Sequence, residues 1–119
     1  MKIHIDDRKH INRIQEEFSE RYPFLKIEFF KHDHQSGEGS PLGDMIPSDS
    51  LLGHWRSIHD QGDIQIDHTM TVAQVEQEFQ QKFGISAQVF RLSGDVWLET
   101  TVTDSWTLEE QNDTGKEMS

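Results

Sequence analysis

The residues best suited to chemistry in this chain are its histidines and carboxylates: seven His and 22 Asp or Glu among 119 residues. His32-Asp33-His34 is the tightest grouping. Two imidazoles flanking a carboxylate carry the donor types that bind zinc or another transition metal. His54 and His59 lie further along and are the candidates to complete a site begun by His32 and His34. A metal centre needs three or four converging ligands, and only two stand close together here. Histidines in a solvated loop are therefore the competing explanation.

Arg8, Lys9, His10 and Arg13 form the one basic cluster, at the start of the first expected helix. Cations at a helix N-terminus oppose the macrodipole, whereas anions are favoured there. Arg8, Lys9 and Arg13 are thus candidates to hold a phosphate or an acidic partner. The alternative is that they pair with Asp6, Asp7 and Glu17. The run Gly37-Glu38-Gly39-Ser40-Pro41-Leu42-Gly43 has the wrong glycine spacing for a dinucleotide site, and no Gly-Lys-Ser/Thr follows it. It reads as a loop.

Catalytic patterns are missing. There is no nucleophile elbow, no His-Glu-x-x-His and no paired-carboxylate motif, and the chain has no cysteine to serve as nucleophile, thiolate ligand or disulfide. Asp33-His34 and Asp67-His68 are neighbours in sequence, which does not place them in a desolvated pocket where a pKa is tuned. No catalytic residue and no cofactor is assigned, and the expectation is a protein without enzymatic activity.

The net charge of −11 argues against nucleic acid and anionic membranes as partners. Residues 1–31 hold seven Lys or Arg against six Asp or Glu, whereas 32–119 hold four against sixteen. No apolar window approaches the roughly 20 residues of a membrane helix. The start of the chain has no apolar stretch and carries Asp6 and Asp7, unlike a signal peptide. A cytoplasmic protein is expected.

The elements that must position these residues come from an internal repeat at an offset of 61. Ile3-His4-Ile5-Asp6 lies over Ile64-Gln65-Ile66-Asp67. Ile11, Ile14, Phe18 and Tyr22 lie over Val72, Val75, Phe79 and Phe83. After a one-residue slip, Ile27-Glu28-Phe29-Phe30-Lys31 matches Ala87-Gln88-Val89-Phe90-Arg91. Each copy reads as a strand, a helix with apolar residues three and four apart, and a second strand. Strands are expected at 2–6, 24–31, 63–67 and 85–91. Thr71 with Gln74 forms a capping box for the second helix, and Pro23 and Gly84 stop the two helices.

A tight turn at Ser93-Gly94 would fold a third strand back along the second copy, placing Phe90 beside Trp97 and Val89 beside Leu98. A short helix from about Asp49 to His59 would bury Leu51, Leu52, Trp55 and Ile58. Thr107 and Glu110 form a second capping box, and residues 113–119 are expected to be disordered. The expectation is one α+β domain over 1–112, with pseudo-repeats of about 1–59 and 62–112. Two duplicated β-α-β units would form a ferredoxin-like sandwich, with a β-grasp-like or other β-α-β-β arrangement as the alternative.

Gln88-Val89-Phe90-Arg91, Val96-Trp97-Leu98-Glu99-Thr100 and the run from Asp104 to Asn112 resemble an uncharacterised family of small bacterial α+β proteins with no assigned function. The similarity extends over most of the chain. It implies a bacterial cytoplasmic origin and assigns no activity, substrate or site residue.

If the helices cover the Val89 face, then Phe30, Phe90 and Trp97 share the opposite one. An apolar patch on an open sheet face marks a partner surface. The competing reading is that the 49–59 segment or Trp106 folds over it. Aromatics on a sheet also suit RNA, but the surrounding Lys/Arg and the glycine-aromatic motif are absent. The functional expectation is a small soluble binding or regulatory module acting through protein–protein contact or self-association, including a homodimer. The alternative is a metal-binding protein or metal-dependent enzyme using the loop histidines.

Overall fold

Alternation sets the first strand: in β1 (Lys2–Ile5) Ile3 and Ile5 are buried while Lys2 and His4 face water. The computed structural model describes residues 1–32 and 42–119. After β1 the chain forms α1 (Ile11–Arg21) and β2 (Leu25–Phe30), then β3 (Gly62–Gln65), α2 (Val72–Phe83), β4 (Ser86–Ser93), β5 (Val96–Glu99) and α3 (Leu108–Met118). The protein is α+β, with the order β-α-β occurring twice. Its strands form two antiparallel sheets, β1–β3 and β2–β4–β5.

The two copies meet through equivalent residues. Ile3 pairs with Ile64 in the first sheet, and Glu28 pairs with Gln88 in the second. Each is the residue its partner matches in the repeat, so a pseudo-two-fold axis passes through both pairs. The repeat also continues past the strands. Lys9 O and Asp7 O accept from Leu52 N and Gly53 N in the first copy, as Met70 O and His68 O accept from Leu108 N and Glu109 N in the second. Ile11 N and Asn12 N donate to Ser50 O and Ser48 O, and Val72 N and Ala73 N donate to Trp106 O and Asp104 O. Each helix start is thus closed by a strap from its own copy, which satisfies amide groups that a helix leaves unpaired.

That strap replaces the helix expected over 49–59. Only a 3-10 turn forms, Leu52–His54, and Leu52 alone of the four expected apolar residues is buried; Trp55 is 38% exposed. The backbone of 48–53 bonds to the start of α1 and so cannot make its own helical ladder. Gly53 passes so close to Asp7 that an added Cβ would sit 2.6 Å from the Asp7 Cβ.

Both capping boxes form: Thr71 Oγ1 accepts from Gln74 N, and Thr107 Oγ1 from Glu110 N, with each partner side chain returning the bond. Gly84 ends α2 in the left-handed conformation at φ 66°. α3 runs on to Met118, where a disordered tail was expected. It is anchored at long range: Asn112 Oδ1 accepts from Phe24 N, Gly115 packs on Phe24, and Gly94 N donates to Met118 O.

The core gathers Ile3, Ile5, Ile64 and Ile66 of the first sheet with Ile27, Phe29, Ala87 and Val89 of the second, together with the inner faces of α1 and α2. Phe29 of the first copy meets Phe79 of the second edge-on at 5.1 Å between ring centroids. The outer edge of β2 is sealed: Gln15 Nε2 donates to Ile27 O, Ser19 Oγ to Leu25 O, and Ile46 N to Phe29 O. These bonds leave no row of free carbonyls on that side of the sheet.

Candidate functional site

The opposite edge of the same sheet is β5, and it is treated differently. All four residues of β5 are exposed: Val96 at 55%, Trp97 at 36% and Leu98 at 43%, followed by Glu99. The strand is held by β4 through Phe90↔Glu99, Arg91↔Leu98, Leu92↔Trp97 and Ser93↔Val96. The turn is therefore Gly94-Asp95, two residues out of step with the register drawn from a Ser93-Gly94 turn. Gly94 sits at φ 63°, and no described non-glycine residue has positive φ. A turn that needs positive φ at its first central position puts glycine there, as in type II′.

A slip of two preserves the faces. Lys26, Phe90 and Glu99 lie on one side with Phe30, Leu92 and Trp97, while Leu98 lies with Arg91 on the other. The expected grouping of Phe30, Phe90 and Trp97 on one face is present, but its exposure differs. Phe30 and Phe90 are 2% and 5% exposed, so Trp97 alone of the three opens to solvent. The Lys26 ammonium lies 5.2 Å from both the Phe90 and the Trp97 ring centroids and 3.4 Å from Glu28. Two cation–π contacts thus brace the root of the exposed strand. On the other side Arg91 lies over Trp106, 5.6 Å from its centroid.

Backbone direction completes the picture. In a two-residue hairpin the residues flanking the turn are hydrogen-bonded to each other, and bonded and non-bonded pairs then alternate. Ser93↔Val96 and Arg91↔Leu98 are the bonded pairs, in agreement with Leu92 N donating away from β5 to Phe24 O. The N–H and C=O groups of Trp97 and Glu99 consequently point off the sheet. Among the described residues none of these groups has a backbone partner. The ladder stops beyond Glu99, where Glu76 Oε2 accepts from Val89 N and Thr100 bonds to Val89 O.

Among the described residues the histidines do not converge. His32 Nδ1 bonds Asp44 at 2.9 Å, His59 Nδ1 bonds Asp7 at 2.9 Å, His54 is exposed, and His34 lies outside the described residues. Among the described residues no group of three His, Asp or Glu side chains is placed to hold a metal ion. In the basic cluster, Lys9 pairs with Glu17 at 2.7 Å, and Arg13 lies 3.9 Å from Glu17 and 3.4 Å from Glu16, a partner outside the expected Asp6, Asp7 and Glu17. The Arg8 backbone N–H donates to Asp6.

A polar node that the motif reading did not single out lies at the end of β1. Asp7 accepts from Arg56 Nε at 2.7 Å and bonds His59, beside a cleft of about 390 Å³ lined by Asp6, Asp7, Arg8, His59 and Gln61. The Arg56 guanidinium holds the Asp7 carboxyl below its ordinary value against the opposing effect of burial, and His59 adds to the lowering. Its signal in the sequence is that Arg56 is the only Lys or Arg between residues 32 and 81. The equivalent place in the second copy carries His68, bonded to Asp67 and near Glu109, beside a cleft of about 300 Å³ that reaches Arg21 and Tyr22. Burial pushes the Tyr22 hydroxyl up from its ordinary pKa.

A carboxylate orienting an imidazole is half of a nucleophilic triad. Among the described residues His59 bonds Asp7, and with the Arg56–Asp7 bond it ties the return of the chain from the strap to the end of β1. Among the described residues, too, no helix is long and apolar enough to cross a membrane. Against known proteins, the chain matches no family model, no curated protein and no solved structure.

Proposed function

We propose that this protein is a small cytoplasmic binding module that works by protein–protein contact, adding a strand of its partner to the free edge of β5. The observation that carries the reading is the contrast between the two edges of one sheet. β2 is closed by Gln15, Ser19 and Ile46, whereas β5 offers Val96, Trp97 and Leu98 to solvent beside outward-facing backbone groups. Native sheets normally blunt such an edge with charge, proline or a covering element, and exposed strand edges are a recurrent mode of peptide recognition. Lack of cysteine suits a reducing compartment, and the acidic surface disfavours nucleic acid.

Selection of a displayed library of random peptides against the chain tests this. Binders should be enriched, lose affinity for Trp97→Ala, and keep it for an alanine at Val102, which is 93% exposed but off the strand. Failure to enrich any Trp97-dependent peptide, combined with a chain that stays monomeric at high concentration, would overturn the reading.

A further inference from the structure

Resting on that reading, we infer that the partner of β5 is a second copy of β5, paired antiparallel about a two-fold axis at Leu98. Outward-facing backbone at Trp97 and Glu99 restricts an isologous pairing of this short strand to registers centred on Glu99, Trp97 or Leu98, and the first sets Glu99 directly against Glu99, like charges opposed, which leaves two. In one, Trp97 faces Trp97 of the second copy, and Glu99 then faces Asp95 twice. Like charges directly opposite each other destabilise a strand pair. In the other, Leu98 faces Leu98, Val96 faces Thr100, and Trp97 faces Glu99.

The second register has complementary charge built into it. Glu99 of one copy arrives opposite Trp97 of the other, on the same face as Lys26, whose ammonium already lies 5.2 Å from the Trp97 centroid. Lys26 is part of a face that also presents Glu28, with which it pairs at 3.4 Å, so the incoming carboxylate would share an ammonium rather than meet an unopposed one. On the opposite face the two Leu98 and two Val96 side chains form one apolar strip, covering groups that are 43% and 55% exposed in the single chain. The ladder gains bonds at Trp97 and Glu99 on both copies, and β2–β4–β5 becomes half of a continuous six-stranded sheet.

The chain has no cysteine, so a single introduced thiol reports the register. In a non-bonded antiparallel pair facing Cα atoms are about 4.5 Å apart, within disulfide range. Under mild oxidation Leu98→Cys should crosslink to a dimer faster than Trp97→Cys or the off-strand control Val102→Cys. Light scattering after size exclusion should show the wild type rising from 13.9 kDa toward twice that mass with concentration. Lys26→Glu and Glu99→Lys should each weaken the dimer by about fivefold, through two cross-strand charge pairs, and the double variant should recover it. The single variants change net charge in opposite directions, so a shared loss reports the pair itself.

A monomeric wild type that still binds Trp97-dependent peptides overturns this pairing and leaves the strand-addition reading standing. A dimer in which Trp97→Cys crosslinks fastest, or in which the double variant fails to recover, overturns the Leu98-centred register alone.

Discussion

Arg56 Nε donates to Asp7 Oδ1 at 2.7 Å, which sets a fully buried guanidinium against a carboxylate that is 43% exposed. Asp7 also ties His59, and Arg56 Nη1 donates to Asp60 O, so one carboxylate organises the return of the chain from the strap to β3. Because the folded Asp7 titrates below its ordinary 3.8, its contribution is present above that value and is lost as pH falls through the lower folded value. Urea unfolding of wild type and Asp7→Asn should therefore show a stability gap at neutral pH that closes below about pH 4. A gap that persists unchanged in acid would refute the ionic role.

The helix starts offer a comparison within one chain. Thr71 and Thr107 cap α2 and α3 with their side chains, whereas His10 precedes α1 without a side-chain cap, and the third amide of α1, Arg13 N, donates to His10 O instead. Thr71→Ala and Thr107→Ala should each cost about 1 kcal/mol. His10→Ala should stay within about 0.5 kcal/mol of wild type. Chemical denaturation of the three variants checks the difference, and equal losses at all three would contradict it.

What could be read from residue order, and what could not, divides along range. The spacing of Ile11, Ile14 and Phe18 against Val72, Val75 and Phe79 marks both helices and the duplication, because helix period is a local property. The face shared by Phe30, Phe90 and Trp97 also follows from alternation, and it survives the two-residue slip of the turn because the strand period is two. The strap was not legible. Leu51, Leu52, Trp55 and Ile58 have helical spacing, yet the backbone around them bonds to Asp7, Lys9, Ile11 and Asn12. The end of α3 was missed for the same reason, since its anchor at Phe24 lies 88 residues from Asn112. Asp7 and Arg56 are separated by 49 residues, and only the isolation of that arginine hints at their contact.

Gly84 tests how the strap is seated. It adopts φ 66°, and an added Cβ would lie 2.4 Å from Ile58 N, where Ser57 N donates to Gly84 O. Gly84→Ala combines a left-handed strain of about 1–2 kcal/mol with a backbone clash that must push residues 57 and 58 away. The variant should be destabilised by more than the conformational strain alone, and amide exchange at Ser57 should accelerate. An unchanged Ser57 amide would show that the contact does not hold the strap.

Leu52 and Leu108 occupy equivalent positions in the two straps, and both are fully buried. Each donates its amide back to the residue two before its helix, Lys9 or Met70, so truncating either side chain hollows out the same corner of its own copy. Leu52→Ala and Leu108→Ala should each cost about 2–5 kcal/mol. After Leu108 the chain continues as α3, whereas after Leu52 it makes a single 3-10 turn and leaves Trp55 in solvent. The cavity at Leu108 lies in the first turn of a capped helix, while the Leu52 segment is a single 3-10 turn with a shorter ladder of its own to resist collapse. Since the penalty depends on how far a site can collapse, Leu108→Ala should be the costlier of the two. Denaturant unfolding of both variants measures the order, and a larger loss at Leu52 would mean that its strap is the more rigid.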